Sequence, residues 1–415
     1  MRKIFAALLL LSLAAPYAQA EMKWSGGSGL RYLNRELNDG LEAKNAAGKD
    51  TSKATNKRYE LRAALGVSEG SEHLDWTVGM RTQSSQISEW VQFSNSADLT
   101  FGLEQANVRL HTNEWLASEW AVVIGRQKAA FLYDSVGQGF LDRDNRWDGL
   151  GWNWKHGAFG FNAAQYVLGA TNRGTPAQPS TYTSTEATQA VADTRSHFGV
   201  LYSLQPTFDW KVSDDVKAVF ALGYHNWSGT GGSSTSNWYS NQVHGGVAAP
   251  STGAALATDV NVIMNNTRQW QLLTDWTLPY SLRFVGEYIR NKTVYYGGIA
   301  PVNITARKAS RDGYSLSLIY GVAKKANEWT VTYTFADRGI ASVINTFTNG
   351  DAPADNRSHM FEGKYMLADN LALGGKLQYH KEKGRVGGEG VALATPNEKR
   401  LQKQRRIELY SAISF

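Results

Sequence analysis

The sequence predicts an all-β chain: a transmembrane antiparallel up-and-down β-barrel of about 16 strands, with short turns at one end and long loops at the other. Three observations carry this. Stretches of about ten residues alternate apolar and polar side chains from Trp24 to Phe415. The connections between them alternate between very short turns and long polar segments. The chain also holds 14 Trp, 19 Tyr and 15 Phe, many of them placed beside those connections.

The first 20 residues stand apart from that pattern. Arg2 and Lys3 precede an apolar run from Ile4 to Ala15, and Ala18-Gln19-Ala20 follows it, which reads as a secretory signal peptide cleaved before Glu21. The run falls short of the roughly 20 residues a spanning helix needs. Residues 21–415 then form the barrel. They hold no apolar stretch long enough for a spanning helix, and the whole chain has no cysteine, 40 Gly and only 9 Pro. What remains is an exported β protein, either soluble or a barrel whose lipid-facing residues are diluted by a polar lumen. Without Arg2 and Lys3, the 43 basic residues fall to 41 against 37 acidic ones. So small an excess, with no basic run interleaved with aromatics, excludes nucleic acid as a partner.

Taken in order, residues 23–33 open the pattern and 57–68 set Tyr59, Leu61, Ala63, Leu65 and Val67 against Arg58, Glu60 and Arg62. Residues 73–84 follow the turn EGSE (69–72), and 101–112 alternate with a slip that implies a bulge before Arg109. NEWLAS (113–118) leads into 119–127, and 147–155 and 158–168 are joined by His156-Gly157. Residues 195–205 and 214–228 precede two clear hairpins, 267–278 with 281–292 across LPYS and 312–322 with 328–338 across AKKAN (323–327). In the latter, Trp329, Val331, Tyr333 and Phe335 oppose Thr330, Thr332 and Thr334. Residues 357–367 and 371–382 meet at ADN (368–370), and 405–415 end the series.

All six short turns fall at one end, and the long segments 34–56, 169–194, 229–266, 293–311, 339–356 and 383–404 fall at the other. An outer-membrane barrel has that asymmetry, with short periplasmic turns and long external loops. An even strand number then places both termini in the periplasm. Apolar side chains face lipid, because an outward Arg or Lys costs about 2–4 kcal/mol at mid-bilayer. Trp76, Trp115, Trp120, Trp154, Phe159, Trp210, Trp276, Tyr280 and Trp329 mark the short-turn interface, and Tyr32, Tyr59, Trp227, Trp270, Tyr288, Tyr314 and Phe335 the loop interface.

The final strand, RRIELYSAISF, alternates Phe415, Ile413, Leu409 and Ile407 with Ala412, Tyr410, Glu408 and Arg406, and is expected to pair with residues 24–33. A terminal aromatic also resembles the signal read by the barrel-assembly machinery of the outer membrane. The run DGYSLSLIYGVAKKANEWTVTYTFADRG (312–339), NRSHMFEGKYMLADNLALGGKLQY (356–379) and the closing IELYSAISF resemble a bacterial family of outer-membrane porins. The likeness is clearest from Gly321 to Trp329 and from Leu367 to Leu373, and looser elsewhere. It implies a barrel of 16 or a similar number of strands in the outer membrane of a Gram-negative bacterium, and passive transport of small hydrophilic solutes or ions. It supplies no site residues.

Candidate pore-lining residues come from the inward phase. Arg58, Arg62, Arg81 and Arg109 fall on one wall, and the third external loop, 128–149, carries Asp134, Asp142, Asp144 and Asp148. In general diffusion porins, which this layout resembles, that loop folds inward and sets acidic residues against an arginine wall. Opposed charges across a narrow passage select by charge and size. The alternative is that Asp142, Arg143, Asp144 and Arg146 pair among themselves at a solvated loop tip. Eleven inward cations (Arg31, Arg58, Arg62, Arg81, Arg109, Lys155, Lys217, Arg283, Lys364, Lys376, Arg406) against six carboxylates (Glu60, Asp75, Asp275, Glu287, Glu362, Glu408) point to mild anion preference.

A lipase or protease barrel would show a nucleophile elbow or a zinc-binding pair, and the sequence has neither G-x-S-x-G nor H-E-x-x-H. His197 and His225 on neighbouring inward strands, with Asp275 close by, are the nearest approach to a triad. Neither a cofactor nor a metal is expected. Two other barrel functions compete with a channel: an adhesin or receptor surface built from the long loops, and, less favoured, a barrel enzyme. Membrane lipid is the surrounding partner, and a homotrimer is common among 16-stranded porins.

Overall fold

The computed structural model describes residues 22–38, 53–82, 90–92, 101–112, 118–134, 139–141, 145–170, 198–228, 240–247, 258–263, 267–293, 311–339, 342–343, 356–383 and 403–415. The proposed signal segment lies outside them. Among the described residues there is no helix. The strands are β1 (Lys23–Asn38), β2 (Lys53–Gly70), β3 (Leu74–Thr82), β4 (Val91–Gln92), β5 (Phe101–Thr112), β6 (Glu119–Gln127), β7 (Trp147–His156), β8 (Phe159–Ala170), β9 (Phe198–Lys211), β10 (Lys217–Ser228), β11 (Ser240–Val247), β12 (Thr258–Ile263), β13 (Thr267–Leu278), β14 (Leu282–Asn291), β15 (Asp312–Val322), β16 (Trp329–Arg338), β17 (Asn356–Ala368), β18 (Leu371–Glu382) and β19 (Lys403–Ser414).

Sixteen of these form one closed antiparallel barrel in which each strand pairs with the next and β19 returns to β1. The two-residue β4 adds to β2 beyond the end of β3, and β11 with β12 form a separate hairpin inside the long segment 229–266. The sixteen match the sixteen stretches expected from the sequence.

Strand phase follows the binary pattern. In β15, Tyr314, Leu316, Leu318 and Tyr320 are exposed on the outer surface, while Gly313, Ser315, Ser317 and Ile319 are buried inside. The expected bulge in β5 is present. Gly79 pairs with Gln105 and Met80 with Leu103, leaving Glu104 as the extra residue. The bulge restores an outward phase for both Leu103 and Leu110 and turns Arg109 inward, where it pairs with Asp75 at 2.8 Å.

Three expectations need correcting. The strand expected over 195–205 runs on to Lys211, and Val212–Val216 is a seventh short turn that the sequence pattern did not reveal. Pro206 hides it. It sits inside β9 opposite Phe161, and the ladder to β10 skips from Thr207↔Ala221 to Leu204↔Tyr224, so the missing N–H falls where the pairing is interrupted. Trp227, expected at the membrane interface, is 1% exposed on the lumen side, packs beside Trp147 and donates to Gln269 Oε1 at 2.6 Å. Several strands also extend further toward the long-loop end than expected; β1 runs to Asn38 and β2 starts at Lys53.

Closure depends on a close approach. Phe415 N donates to Gly26 O at 3.1 Å and Gly26 N to Phe415 O at 3.0 Å. The Phe415 ring occupies the space above Gly26, where a Cβ would lie 2.5 Å from its Cζ.

The β13–β14 turn is strained in a correctable way. Tyr280 and Ser281 have φ of 61° and 58°, the left-handed pair of a primed hairpin turn, with neither residue a glycine. Replacing Ser281 with Gly is expected to stabilise the folded barrel by about 1 kcal/mol and so raise its denaturation midpoint, since a left-handed residue with a Cβ costs that much. An unchanged or lowered midpoint in a urea titration would contradict this.

Candidate functional site

The lumen has two unlike halves, and residues at the start and end of the third external loop separate them. After β6 the chain turns inward instead of continuing outward. Ala130 N donates to Tyr166 Oη at 2.8 Å, and Ala130 O accepts from Asn153 Nδ2 at 2.8 Å. Leu132 is held through its backbone: its N–H donates to Gln205 Oε1 at 2.7 Å, and its carbonyl accepts from Gln205 Nε2 and Gln271 Nε2 at 2.9 and 3.1 Å. Phe140 N donates to Glu287 Oε2 at 2.8 Å, and Arg338 donates to Gly139 O. Phe131, Phe140 and Leu141 are buried, with Phe131 and Phe140 centred 4.7 and 5.4 Å from the His225 ring. These contacts fix the segment against inward side chains from β7 to β16.

The wall beneath it is a ladder of neutral amides. Asn153 donates to Asn162, Asn162 to Gln205, Gln205 to Gln271 and Gln271 to Glu287, at 2.6 to 3.1 Å. Each buried polar group thus finds a partner, as burial requires. Sequence reasoning that follows inward charges overlooks these amides. Their signal is Asn and Gln at alternate positions of strands whose outward phase is apolar.

The opposite wall, from β17 through β19 and β1 to β5, borders a cavity among the described residues. There the side chains are charged and linked. Glu60 receives Arg31 and, at 2.6 Å, Arg58; Glu408 receives Arg31 at 3.1 Å, Arg406 at 2.6 Å and Lys376 at 3.3 Å. Trp90, just before β4, lies over two guanidinium groups, 4.3 Å from Arg31 and 5.2 Å from Arg62, a cation–π arrangement that holds both against the wall. Gly29 makes room for it, since a Cβ there would lie 3.3 Å from both Arg62 and Trp90. Tyr410 donates to Glu362 Oε1 at 2.8 Å, its ring lying where a Cβ on Gly374 would be. A cavity of about 490 Å³ lies against this wall, bordered by Arg31, Arg62, Trp90, Lys364, Lys376 and Tyr410 among others.

The expected pore residues distribute unevenly. Arg58 and Arg62 stand on the open wall, and Arg109 lies lower, toward the short turns, with Asp75. Arg81 is on the same inward phase but only 4% exposed. Asp134 is inside the barrel yet closed off: it is 1% exposed and accepts from Ser315 and Ser317 of β15 at 3.1 and 3.3 Å, so it ties the inner segment to the wall. Asp148, expected to face the lumen, shares the outward phase of Leu150 and pairs with Arg126 of β6 at 2.6 Å. The chain has already entered β7 by that point, so strand parity decides its direction. Asp142 and Asp144 lie outside the described residues, as does His197. Arg146 reaches back to Glu104, the bulge residue of β5.

The two described catalytic candidates, His225 and Asp275, have different partners. His225 is fully buried between Ser203 and Gln271, 3.0 Å from each, and Asp275 is engaged by Arg283 at 2.8 and 2.5 Å. The carboxylate nearest His225 in this network, Glu287, reaches it only through Gln271. No group of three or more His, Cys, Asp or Glu among the described residues could hold a metal ion.

A closed 16-strand antiparallel barrel of this layout is the architecture of outer-membrane porins. Among solved structures, the high-pH structure of Pseudomonas putida OprB is similar over 95% of this chain and 94% of its own, with 12% identity and a TM-score of 0.52. Pseudomonas aeruginosa OpdQ (10% identity, 95% and 98% covered, TM-score 0.41) and a porin refined at 1.8 Å (12%, 95% and 100%, TM-score 0.43) resemble it more loosely. No family model matches the chain, and no curated protein matches it.

Proposed function

We propose that this chain is a non-enzymatic channel of the Gram-negative outer membrane, passing small hydrophilic solutes and ions by diffusion along the open wall, with mild preference for anions. Both termini and the short turns are periplasmic, and the long loops are external. The observation that carries this reading is the unequal lumen: the inner segment occupies one side, and the other keeps a cavity of about 490 Å³ beside a charged wall. The likeness to OprB supports the barrel, and a barrel of this layout, shared with outer-membrane porins, supports a channel.

Selectivity follows from charge. Arg31, Arg58, Arg62, Lys364, Lys376 and Arg406 face Glu60, Glu104, Glu362 and Glu408 on the open side, while Asp134 and Glu287 are covered on the other. A net positive wall bordering a low-dielectric passage concentrates anions. Single-channel recording in a salt gradient tests both parts. The double substitution Arg58→Glu and Arg62→Glu is expected to lower the anion-to-cation permeability ratio about threefold, the effect of roughly half a kT of local potential acting oppositely on the two ions. The effect should shrink between 0.1 M and 1 M salt as the screening length falls from about 10 Å to about 3 Å. Folded protein without conductance would overturn the channel; an unmoved reversal potential at low salt would overturn the selectivity.

A further inference from the structure

The outer surface of the barrel has a dent in its apolar belt. Gly363 of β17 and Gly375 of β18 pair directly, both on the outward phase, and leave a groove of about 320 Å³ walled by Val331, Phe361, Leu377, Ile407 and Leu409. No atom of the described residues lies within 4 Å of where a Cβ on Gly363 would stand. A bare groove on a lipid-facing surface is filled by hydrocarbon unless another protein covers it.

Directly above, toward the long-loop end, the same outward phase becomes basic. Lys381 pairs in register with Lys403 and Tyr379 with Arg405, and all three cations are exposed. Arg357 and Lys383 lie beside them, bound to Asp337 at 2.7 and 2.5 Å, and Glu36 stands opposite Arg405 on β1. Five cations therefore share the patch with two carboxylates. The spacing matters as much as the charge. Six residues separate Gly375 from Lys381, about 20 Å along a strand at roughly 3.4 Å per residue. A tilt of about 35–45° reduces that to roughly 15 Å along the membrane normal, half the hydrocarbon thickness. An acyl chain seated at the glycines thus places its headgroup level with Lys381, Lys403 and Arg405.

We propose that this strip is a binding site for a phosphate-bearing lipid of the external leaflet, with one acyl chain in the Gly363–Gly375 groove and its phosphates on Lys381, Lys403 and Arg405. The proposal rests on the orientation given above, in which the long loops face outward. Arginine and lysine together favour phosphate over a zwitterionic headgroup, and the groove fixes where the lipid stops. A second copy docking by this same face would set like charges against each other.

The test uses the full folded chain in detergent, titrated with diphosphorylated lipid A and with the same lipid dephosphorylated, bound lipid being read by native mass spectrometry. The phosphorylated form is expected to bind about a hundredfold more tightly, on the scale of three cations near an anionic headgroup. Changing Lys381, Lys403 and Arg405 together to Glu should remove that preference, and Gly363→Leu, whose added Cβ has open space and whose branch enters the groove, should weaken binding of both forms. Equal affinities for the two lipids, a preference that survives the triple change, or a Gly363→Leu protein that loses an oligomer and keeps its lipid would overturn the proposal. Conductance recorded on the same preparations separates the two readings. Lost lipid preference with normal conductance sinks only this site, and a silent wild-type barrel sinks the channel.

Discussion

Deleting Phe415, or replacing Gly26 with Val, is expected to reduce folded barrel in the membrane at least about tenfold, seen as loss of the heat-modifiable band on a gel. Each change attacks the seam between β19 and β1. Phe415 and Gly26 exchange two backbone hydrogen bonds, at 3.0 and 3.1 Å, and an unpaired backbone group in hydrocarbon costs several kcal/mol. A Cβ at Gly26 would meet the Phe415 ring at 2.5 Å and Ala64 O at 2.8 Å, so one side or the other must move. Gly363→Val is the control, because its Cβ meets nothing, and it should fold as the parent does. Parent-like folding of the Phe415 deletion or the Gly26 variant would mean that the seam closes without this contact.

Removing residues 131–141 is expected to raise single-channel conductance about twofold, as a passage restricted to one side of the barrel gains the other. The barrel should survive. Its strand pairing does not depend on the segment, and the uncovered Gln205, Gln271 and Glu287 would be met by water instead of by Leu132 and Phe140. Arg338→Ala removes the bond to Gly139 O and leaves the rest of the segment in place, and should give a smaller, noisier increase. Unchanged conductance in the deletion would show that the segment does not narrow the conducting path.

The strand plan is legible because lipid imposes a strict rule: outward side chains must be apolar, so a period of two persists through sixteen strands. Even the β5 bulge leaves a trace, as a slip between Leu103 and Leu110. Where a residue breaks a local rule and is tolerated by its neighbours, sequence reasoning fails, as at Pro206 in the middle of β9. The wall of Arg58 and Arg62 is legible from charge and parity. The amide ladder is legible only as Asn and Gln on the inward phase; that they grip a backbone segment is not, because the segment's path is not written in the strands. Trp90 is invisible for a related reason: its role comes from its place over Arg31 and Arg62, residues of two other strands far from it in sequence. Asp148 is misplaced when loop and strand residues are taken as one acidic set, and only the start of β7 shows that its carboxylate points outward.

The attachments of the inner segment also set a timetable for construction. Asp134 waits for Ser315 and Ser317, 181 and 183 residues further along the chain, and Gly139 waits for Arg338, 199 residues away. Contacts across such separations form late, once the intervening chain has paired and shortened the distance to be closed. Ala130 and Leu132, by contrast, are gripped from β7, β8 and β9 across only 23 to 73 residues. The segment is therefore tethered at its start early and pinned at its far end last, when β14, β15 and β16 close over it.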